Sequence, residues 1–114
     1  MKKKFLTFND GIANIYNVTN NAEKGDRPTE KLNLLFSLRF SYNTIGIKRN
    51  YEAMQQQVKL SELICTPMHR EVSPQDVVVI GQKQYSIVQI QHKPNTLPPS
   101  SLISLSRLEE EYDY

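Results

Sequence analysis

The chain has 114 residues and a formal net charge of +2. This length fits one compact domain, and so small a charge does not by itself indicate a nucleic-acid binder. The one cysteine, Cys65, excludes an intramolecular disulfide and favours a reducing compartment. The longest apolar run, from Val77 to Ile80, is far below the about 20 residues that span a bilayer, so we expect a soluble protein without membrane contact.

Charge is unevenly distributed along the chain. Residues 1–51 carry a net charge of +5, and residues 52–114 carry −3. Such an asymmetry can orient a subunit against its neighbours or against a polyanion, although a folded domain can interleave the two halves. The distribution therefore favours an interaction partner without identifying it.

The first predicted strand is GIANIYNV, residues 11–18. Its apolar side chains Ile12, Tyr16 and Val18 follow a period of two, which is typical of a strand with one apolar face.

A long polar loop, Thr19 to Lys31, follows this strand and is interrupted by Gly25 and Pro28. Loops of this length inside a compact domain are uncommon and are usually functional or disordered. Basic residues in it are candidates for contact with the acidic face of a neighbouring subunit or with DNA, and the alternative is a mobile surface connection. These residues are Lys24, Arg27 and Lys31.

The second predicted strand is KLNLLFSLRFSY, residues 31–42. Apolar and polar side chains alternate along it, and only Leu35 departs from the pattern. We expect one long strand with one buried face, formed by Leu32, Leu34, Phe36, Leu38, Phe40 and Tyr42.

A third strand is expected in TIGIKRNYEAM, residues 44–54, after a turn at Asn43 and Thr44. The run of three glutamines that follows permits a short helix or a bend. The next segment, VKLSELICT (58–66), fits a helix or a strand, and its β-branched residues favour the strand. The proposed shared face of the third strand consists of Ile45, Ile47, Tyr51 and Ala53.

The segment VVVIGQKQYSIVQIQ, residues 77–91, predicts a β-hairpin with a Gly-Gln-Lys-Gln turn. Both of its strands are apolar on both faces, so we expect them to lie centrally or to be covered. The expected faces are Val77, Val79, Tyr85 and Ile87 on one side, and Val78, Ile80, Val88 and Ile90 on the other.

A last strand, SLISLSRL (101–108), follows three prolines. About six strands with little helix predict an all-β fold, a small antiparallel β-barrel or sandwich with a long first loop. We expect a single domain over residues 1–114, with flexible ends at 1–10 and 109–114.

No arrangement of residues predicts catalysis. His69 and His92 have no cysteine or carboxylate at zinc-ligand spacing and are expected to be solvated. Cys65 lies in an apolar run, where a cysteine usually packs as a small hydrophobe. Neither a glycine-rich phosphate loop nor a convergent pair of carboxylates is predicted. We therefore expect a protein that is not an enzyme and has no cofactor or metal.

Binding of single-stranded nucleic acid is the alternative function. Small barrels bind single strands by stacking bases on aromatic side chains beside a basic groove. The leucines between the aromatic residues of the second strand favour a core instead. The candidate groups are the aromatic Phe36, Phe40, Tyr42 and Tyr51 and the basic Arg39, Lys48 and Arg49, of which Lys48 and Arg49 are also candidate interaction residues in general.

Three motifs occur in a recognisable order. They are the aromatic-alanine motif Tyr51-Glu52-Ala53, the hairpin from Asp76 to Ile87 and the closing strand from Ile103 to Arg107. In this order they resemble the head-tail joining proteins of long-tailed bacteriophages, also called head-completion or stopper proteins, over about residues 12 to 110. The most diagnostic positions of the hairpin are Gly81, Tyr85 and Ile87.

The resemblance implies a non-enzymatic structural protein of the virion, located at the head-tail interface and assembled in the cytoplasm of the bacterial host. Such a β-barrel forms a ring beneath the portal vertex, retains packaged DNA and docks the tail. Its implied partners are the portal or adaptor ring, the tail proteins and copies of itself, with channel contact to packaged double-stranded DNA. We expect a monomer in isolation. A third hypothesis is a stand-alone adaptor of a bacterial host, encoded within a prophage.

Overall fold

The structure, a computed structural model, describes residues 6–20, 30–55 and 59–112. Within these ranges the chain forms six strands and one helix, which confirms the all-β prediction. No helix there is long and apolar enough to cross a membrane. The elements are β1 (Gly11–Asn20), β2 (Glu30–Asn43), α1 (Ile47–Gln55), β3 (Glu62–Pro67), β4 (Val77–Ile80), β5 (Lys83–Lys93) and β6 (Ser100–Arg107).

The six strands form a closed barrel in the order β1-β2-β3-β6-β5-β4, and every pair is antiparallel. Two seams are short. β2 joins β3 only from Ser41 to Asn43, and β4 joins β1 only from Ala13 to Tyr16. Because closure pairs strands that an open sheet would leave at its edges, it protects them from edge-to-edge aggregation.

The main core fills the barrel interior. Each of the six strands contributes to it, since alternate side chains of a strand point to opposite faces. The loop between β3 and β4 adds Val72. The buried residues of this core are Ala13, Ile15, Phe40, Ile64, Val72, Val78, Tyr85, Ile87, Ile103 and Leu105, with Phe36, Leu38, Ile80 and Ile90 packed against them.

Two smaller clusters cover the outer surface, so the two apolar faces of β4 are both buried. The first cluster brings Val77 and Val79 together with Leu32, and Leu108 and Tyr112 pack against it. The second brings Leu63, Cys65 and Leu102 together beneath Leu6, Phe8 and Ile45. The chain therefore covers these strands with its own terminal segments.

Parts of both chain ends that we expected to be flexible contact the barrel. The backbone N–H of Leu6 donates to the Leu97 carbonyl at 2.7 Å. At the other end, the Gln84 side chain donates to the Tyr112 carbonyl at 2.7 Å and accepts from the Tyr112 N–H at 2.8 Å. Gln84 is almost completely buried, and this reciprocal pair satisfies both ends of its amide.

A β-bulge corrects the prediction of one buried face along β2. Ile15 pairs with Phe36 but Tyr16 pairs with Leu34, so Leu35 is an extra residue. One extra residue moves the following side chains to the opposite face of a sheet. Phe36 therefore packs against the interior, whereas Leu34 is 57% exposed on the outside.

The apolar pattern of β1 also describes the outer surface. Tyr16 and Val18 pack in an outer cluster, and Ile12 is 56% exposed. The interior side chains are Ala13 and Ile15, which alternate with them. The prediction of a strand is confirmed, but the side chains that face the core are Ala13 and Ile15 and not those of the apolar pattern.

The predicted third strand is wrong, because residues 47–55 form helix α1. The segment IKRNYEAMQ is rich in good helix formers, among them lysine, arginine, glutamate, alanine, methionine and glutamine. The chain has no strand position left for it, since β3 already pairs with the end of β2. The strand predicted for residues 58–66 is confirmed in part by β3.

The hairpin of β4 and β5 turns in two residues, Gly81 and Gln82, and Gly81 has φ of 63°. Glycine at the first position of a two-residue turn permits this left-handed conformation. The turn pairs Val78 with Tyr85, so Val78 shares the interior with Tyr85. This corrects the predicted grouping, which followed from a four-residue turn and placed Val77 and Val79 with Tyr85.

The bulge in β2 generates a prediction with a matched control. Leu38→Ala should lower the free energy of unfolding by about 2 kcal/mol, because it removes methyl groups that pack against the core. Leu34→Ala should change it by less than about 0.5 kcal/mol, because Leu34 is exposed. Urea denaturation measures both. Equal losses would mean that the two leucines share one buried face and that the bulge is absent.

Candidate functional site

The five candidate interaction residues fall into three groups. Lys24 and Arg27 lie outside the described residues, and so does the side chain of Lys48 on α1. Lys31 is exposed near the start of β2, and Arg49 lies on α1. Among the described groups, the structure therefore places Lys31 and Arg49 in two different settings.

Lys31 belongs to a two-stranded ribbon, which we define as Asn17–Asn20 of β1 and Glu30–Asn33 of β2. These residues pair with each other. However, β4 pairs with β1 only as far as Tyr16, and β3 pairs with β2 only from Ser41 onward. Both outer edges of the ribbon therefore lack a strand partner among the described residues. Four residues of strand extend about 13 Å, so the ribbon projects from the paired wall by about that distance.

Polar side chains stabilise the ribbon across its two strands. The Asn33 amide donates to the Thr19 hydroxyl at 2.9 Å, and this hydroxyl lies 3.4 Å from the Lys31 carbonyl oxygen. Leu32 packs into the first outer cluster together with Val18. Contacts within the chain thus hold the ribbon, and the segment between its two strands in the sequence contains Lys24 and Arg27.

Arg49 joins α1 to the outer surface of the barrel. Its Nη1 donates to Gln89 Oε1 at 3.2 Å and to Ser104 Oγ at 2.8 Å. Its Nη2 donates to Gln91 Oε1 at 2.8 Å. All three acceptors are neutral, so within the described ranges Arg49 holds the helix by hydrogen bonds and not by an ion pair.

A second bulge positions these acceptors. Ile87 pairs with Leu105, but Gln89 pairs with Ser104, so Val88 is an extra residue in β5. After it, Gln89 and Gln91 share the outer face, and Ile90 points to the core. Sequence reasoning missed Gln89, Gln91 and Ser104, although the alternation of glutamines with Ile90 signals a polar outer face.

Two clefts adjoin Arg49. The inner cleft, about 200 Å³, lies between α1 and the β5–β6 face and is lined by Arg49, Glu52, Ala53, Leu60, Val88, Gln89 and Ser104. The outer cleft, about 600 Å³, is more open and is lined by Asn43, Thr44, Gly46, Arg49, Glu52, Leu63, Gln89, Gln91 and Leu102. Arg49, Glu52 and Gln89 line both clefts, which makes this region the candidate functional site.

The motif residues behind the family resemblance are mainly structural. Tyr85 and Ile87 lie in the core, Gly81 forms the hairpin turn, and Ala53 is buried beneath α1. Tyr51, in contrast, is 62% exposed on α1. The structure does not bring these five positions together into one site.

The four aromatic residues proposed as a stacking platform are not on one surface. Phe40 is completely buried in the core, and Phe36 stacks on His69 with ring centroids 4.0 Å apart. Tyr42 meets Phe40 edge to face at 4.9 Å, and Tyr51 lies on α1. Phe40 and Phe36 therefore serve the fold rather than offer exposed faces for bases.

The histidines and the cysteine take structural positions. His92 Nδ1 lies 2.7 Å from Ser101 Oγ, and His69 stacks on Phe36, so neither ring is simply solvated as predicted. Cys65 is buried in the second outer cluster, as expected for a small hydrophobe. Within the described ranges, no group of three or more metal-ligating side chains converges.

Two tyrosines at one barrel mouth have raised pKa values. Burial is the largest cause for both, and the nearby Glu62 carboxylate raises the pKa of each further. Asp10 adds to the effect at Tyr42, whereas Arg107, 5.9 Å from the centre of the Tyr85 ring, acts in the opposite direction at Tyr85. This mouth therefore favours the neutral phenols.

The comparisons with known proteins give no relative to guide the assignment. No model of a known protein family matches the chain, and none of the curated proteins matches it. Function is therefore inferred from the motif resemblance together with the fold and the ribbon.

The Arg49 hydrogen bonds predict a contribution to stability. Arg49→Ala should lower the free energy of unfolding by about 2 kcal/mol, because it removes three hydrogen bonds that each contribute about 1 kcal/mol or less. Arg49→Lys should recover only part of this loss, since an ammonium cannot reproduce the planar fork. Chemical denaturation checks both, with the exposed Lys59→Ala as control. If Arg49→Ala and Lys59→Ala have the same effect, Arg49 does not hold α1.

The raised tyrosine pKa values predict a loss of stability in alkali. The folded protein holds the phenol protons more tightly than the unfolded chain, so this contribution is complete below about pH 10 and declines as pH rises through the folded pKa. Tyr85→Phe should therefore reduce the slope of unfolding free energy against pH above about 10. Tyr51→Phe, which removes an exposed phenol, is the matched control. Identical slopes for the two variants would contradict the prediction.

Proposed function

We propose that this protein is a non-enzymatic structural component of a phage virion, located at the head-tail connector. It closes the DNA-filled head and offers a docking face for the tail. Assembly takes place in the cytoplasm of the bacterial host. The motif resemblance suggests this class of protein, and the β1–β2 ribbon is the structural observation that supports it best.

The ribbon supports an assembly role because its strands are incompletely paired. A two-stranded hairpin is marginally stable in water by itself, and the outer ribbon has no third strand among the described residues. A neighbouring chain can supply the missing contacts when subunits are brought together.

The charge of this region supports the same proposal. Lys31 is exposed on the ribbon, and Lys24 and Arg27 belong to the segment that the ribbon strands enclose in sequence. The complementary charge within the chain is the acidic stretch Glu109–Glu111, whose three residues are all exposed. We therefore propose that the basic segment contacts the acidic face of a neighbouring subunit or double-stranded DNA in the channel.

The partners are the portal or adaptor ring, the tail proteins and further copies of the chain. The isolated chain is a monomer, and the ring forms only on a template that aligns the subunits and raises their effective concentration. No cofactor takes part. The barrel acts as the rigid frame that carries the ribbon and the Arg49 region.

Sedimentation with and without portal or adaptor rings tests the proposal. The pure protein should sediment as a monomer near 13.2 kDa and should co-sediment with the rings when both are mixed. The triple variant Lys24→Glu, Arg27→Glu, Lys31→Glu should keep its melting temperature but lose co-sedimentation, because the basic contacts are reversed.

The control is Lys59→Glu, Arg70→Glu, Lys83→Glu, which makes the same change in charge at exposed positions outside the ribbon. It should still co-sediment. A closed ring formed by the protein alone, or equal binding of both triple variants, would contradict the proposal. Steeply salt-dependent binding to single-stranded DNA, without binding to the rings, would replace it with the nucleic-acid alternative.

A further inference from the structure

Arg49 lines the outer cleft and has N–H groups that its three side-chain hydrogen bonds do not use. Arginine has five N–H donors and no acceptor, and three hydrogen bonds account for three of these donors. One Nη2–H and the Nε–H have no acceptor among the residues that the structure describes. These two N–H groups of Arg49 are therefore available to a ligand in the cleft.

The same hydrogen bonds orient the neighbouring amides. Because Arg49 only donates, Gln89 and Gln91 must both present their oxygens to it. Their –NH₂ groups then point away from the guanidinium and make no hydrogen bond within the described chain. Arg49, Gln89 and Gln91 all line the outer cleft. Their free N–H groups therefore form a cluster of donors around one positive charge.

The charge in this cleft is not neutralised by a contact. Arg49 makes no ion pair with any described residue, and Glu52 lines the cleft without approaching the guanidinium within salt-bridge distance. The buried side chains of Leu63 and Leu102 also line it.

We propose that the outer cleft binds a carboxylate, held by the free N–H groups of Arg49, Gln89 and Gln91. A planar guanidinium fits the two oxygens of a carboxylate. Glu52 lines the cleft and repels any anion there, so it disfavours a phosphate dianion more than a carboxylate, which carries a single charge. The carboxylate comes either from a free organic acid or from an acidic segment of protein, such as residues 108–114 of a second copy. The site does not depend on the head-tail assignment.

NMR titration of the full chain tests the site directly. Sodium acetate should cause saturable shifts of the Arg49 Nε–Hε signal and of the Gln89 and Gln91 side-chain amides, while sodium chloride at equal ionic strength should not. Sodium phosphate near pH 8, where the dianion predominates, should bind no more tightly than acetate. Absence of saturation, the same response to chloride, or tighter binding of phosphate would overturn the proposal.

A variant that keeps the Arg49 contact but fills the site provides the second measurement. Gln91→Glu retains an oxygen acceptor for Arg49 and introduces a carboxylate in place of the free amide donor. It should weaken acetate binding by about tenfold or more, the effect expected for a charge-assisted hydrogen bond. Gln82→Glu, in the β4–β5 turn and outside both clefts, carries the same charge change and should bind normally.

Gln89→Glu serves the same purpose if Gln91→Glu does not fold. Acetate binding that is unchanged in the folded variant would overturn the site.

Two peptides distinguish the sources of the carboxylate. The peptide LEEEYDY, which has the sequence of residues 108–114, and its neutral form LQQQYNY are both amidated at the C-terminus. Binding of the acidic peptide about tenfold tighter than acetate, with shifts at the same three side chains, assigns the site to an acidic protein segment. Equal affinities of the acidic peptide and of acetate would support a carboxylate site for free organic acids. Equal binding of the two peptides at these side chains would contradict recognition of a carboxylate.

Discussion

Closure of a six-stranded sheet on itself is the constraint on which the rest of this structure depends. Two long strands, β2 and β5, each contain an extra residue, and bulges of this kind bend a strand and increase its twist. At the mouth of the barrel, Phe40 packs over Gly11, where an added Cβ would lie 3.1 Å from the ring. Gly11 has φ of 149°, so both backbone and space favour glycine at the start of β1.

The two bulges have different consequences for the molecular surface. In β2 the extra Leu35 separates Phe36, which packs against the interior, from the ribbon residue Leu32, which packs in the first outer cluster. In β5 the extra Val88 places Gln89 and Gln91 in line with Ser104, where they accept from Arg49. The bulge in β5 therefore positions the acceptors that hold Arg49 beside the outer cleft. Both proposed interaction surfaces, the ribbon and the outer cleft, lie outside the main core.

Much of the fold was predictable because the local patterns agree with it. The alternation in residues 31–42 indicates a strand, since alternate residues of a strand point to the same face. The glycine in the hairpin turn is a second local signal of strands. Helix α1 was the exception, because Ile45, Ile47, Tyr51 and Ala53 also fit a period of two. Within the candidate site, Arg49 was named from its charge. The alternation around Ile90 indicates only that Gln89 and Gln91 face outward, and no local pattern indicates that Arg49 is their partner.

Local sequence patterns account for the all-β class, most of the strands, the hairpin and the polar character of the first loop, because these depend on neighbours along the chain. The fold is needed to establish which face of each strand is buried, since an extra residue such as Leu35 changes the face beyond it. The fold also establishes that Gln84 holds Tyr112 and that Arg49 meets Gln89, Gln91 and Ser104. These contacts join residues 28 to 55 positions apart, a separation at which no periodic pattern specifies a partner.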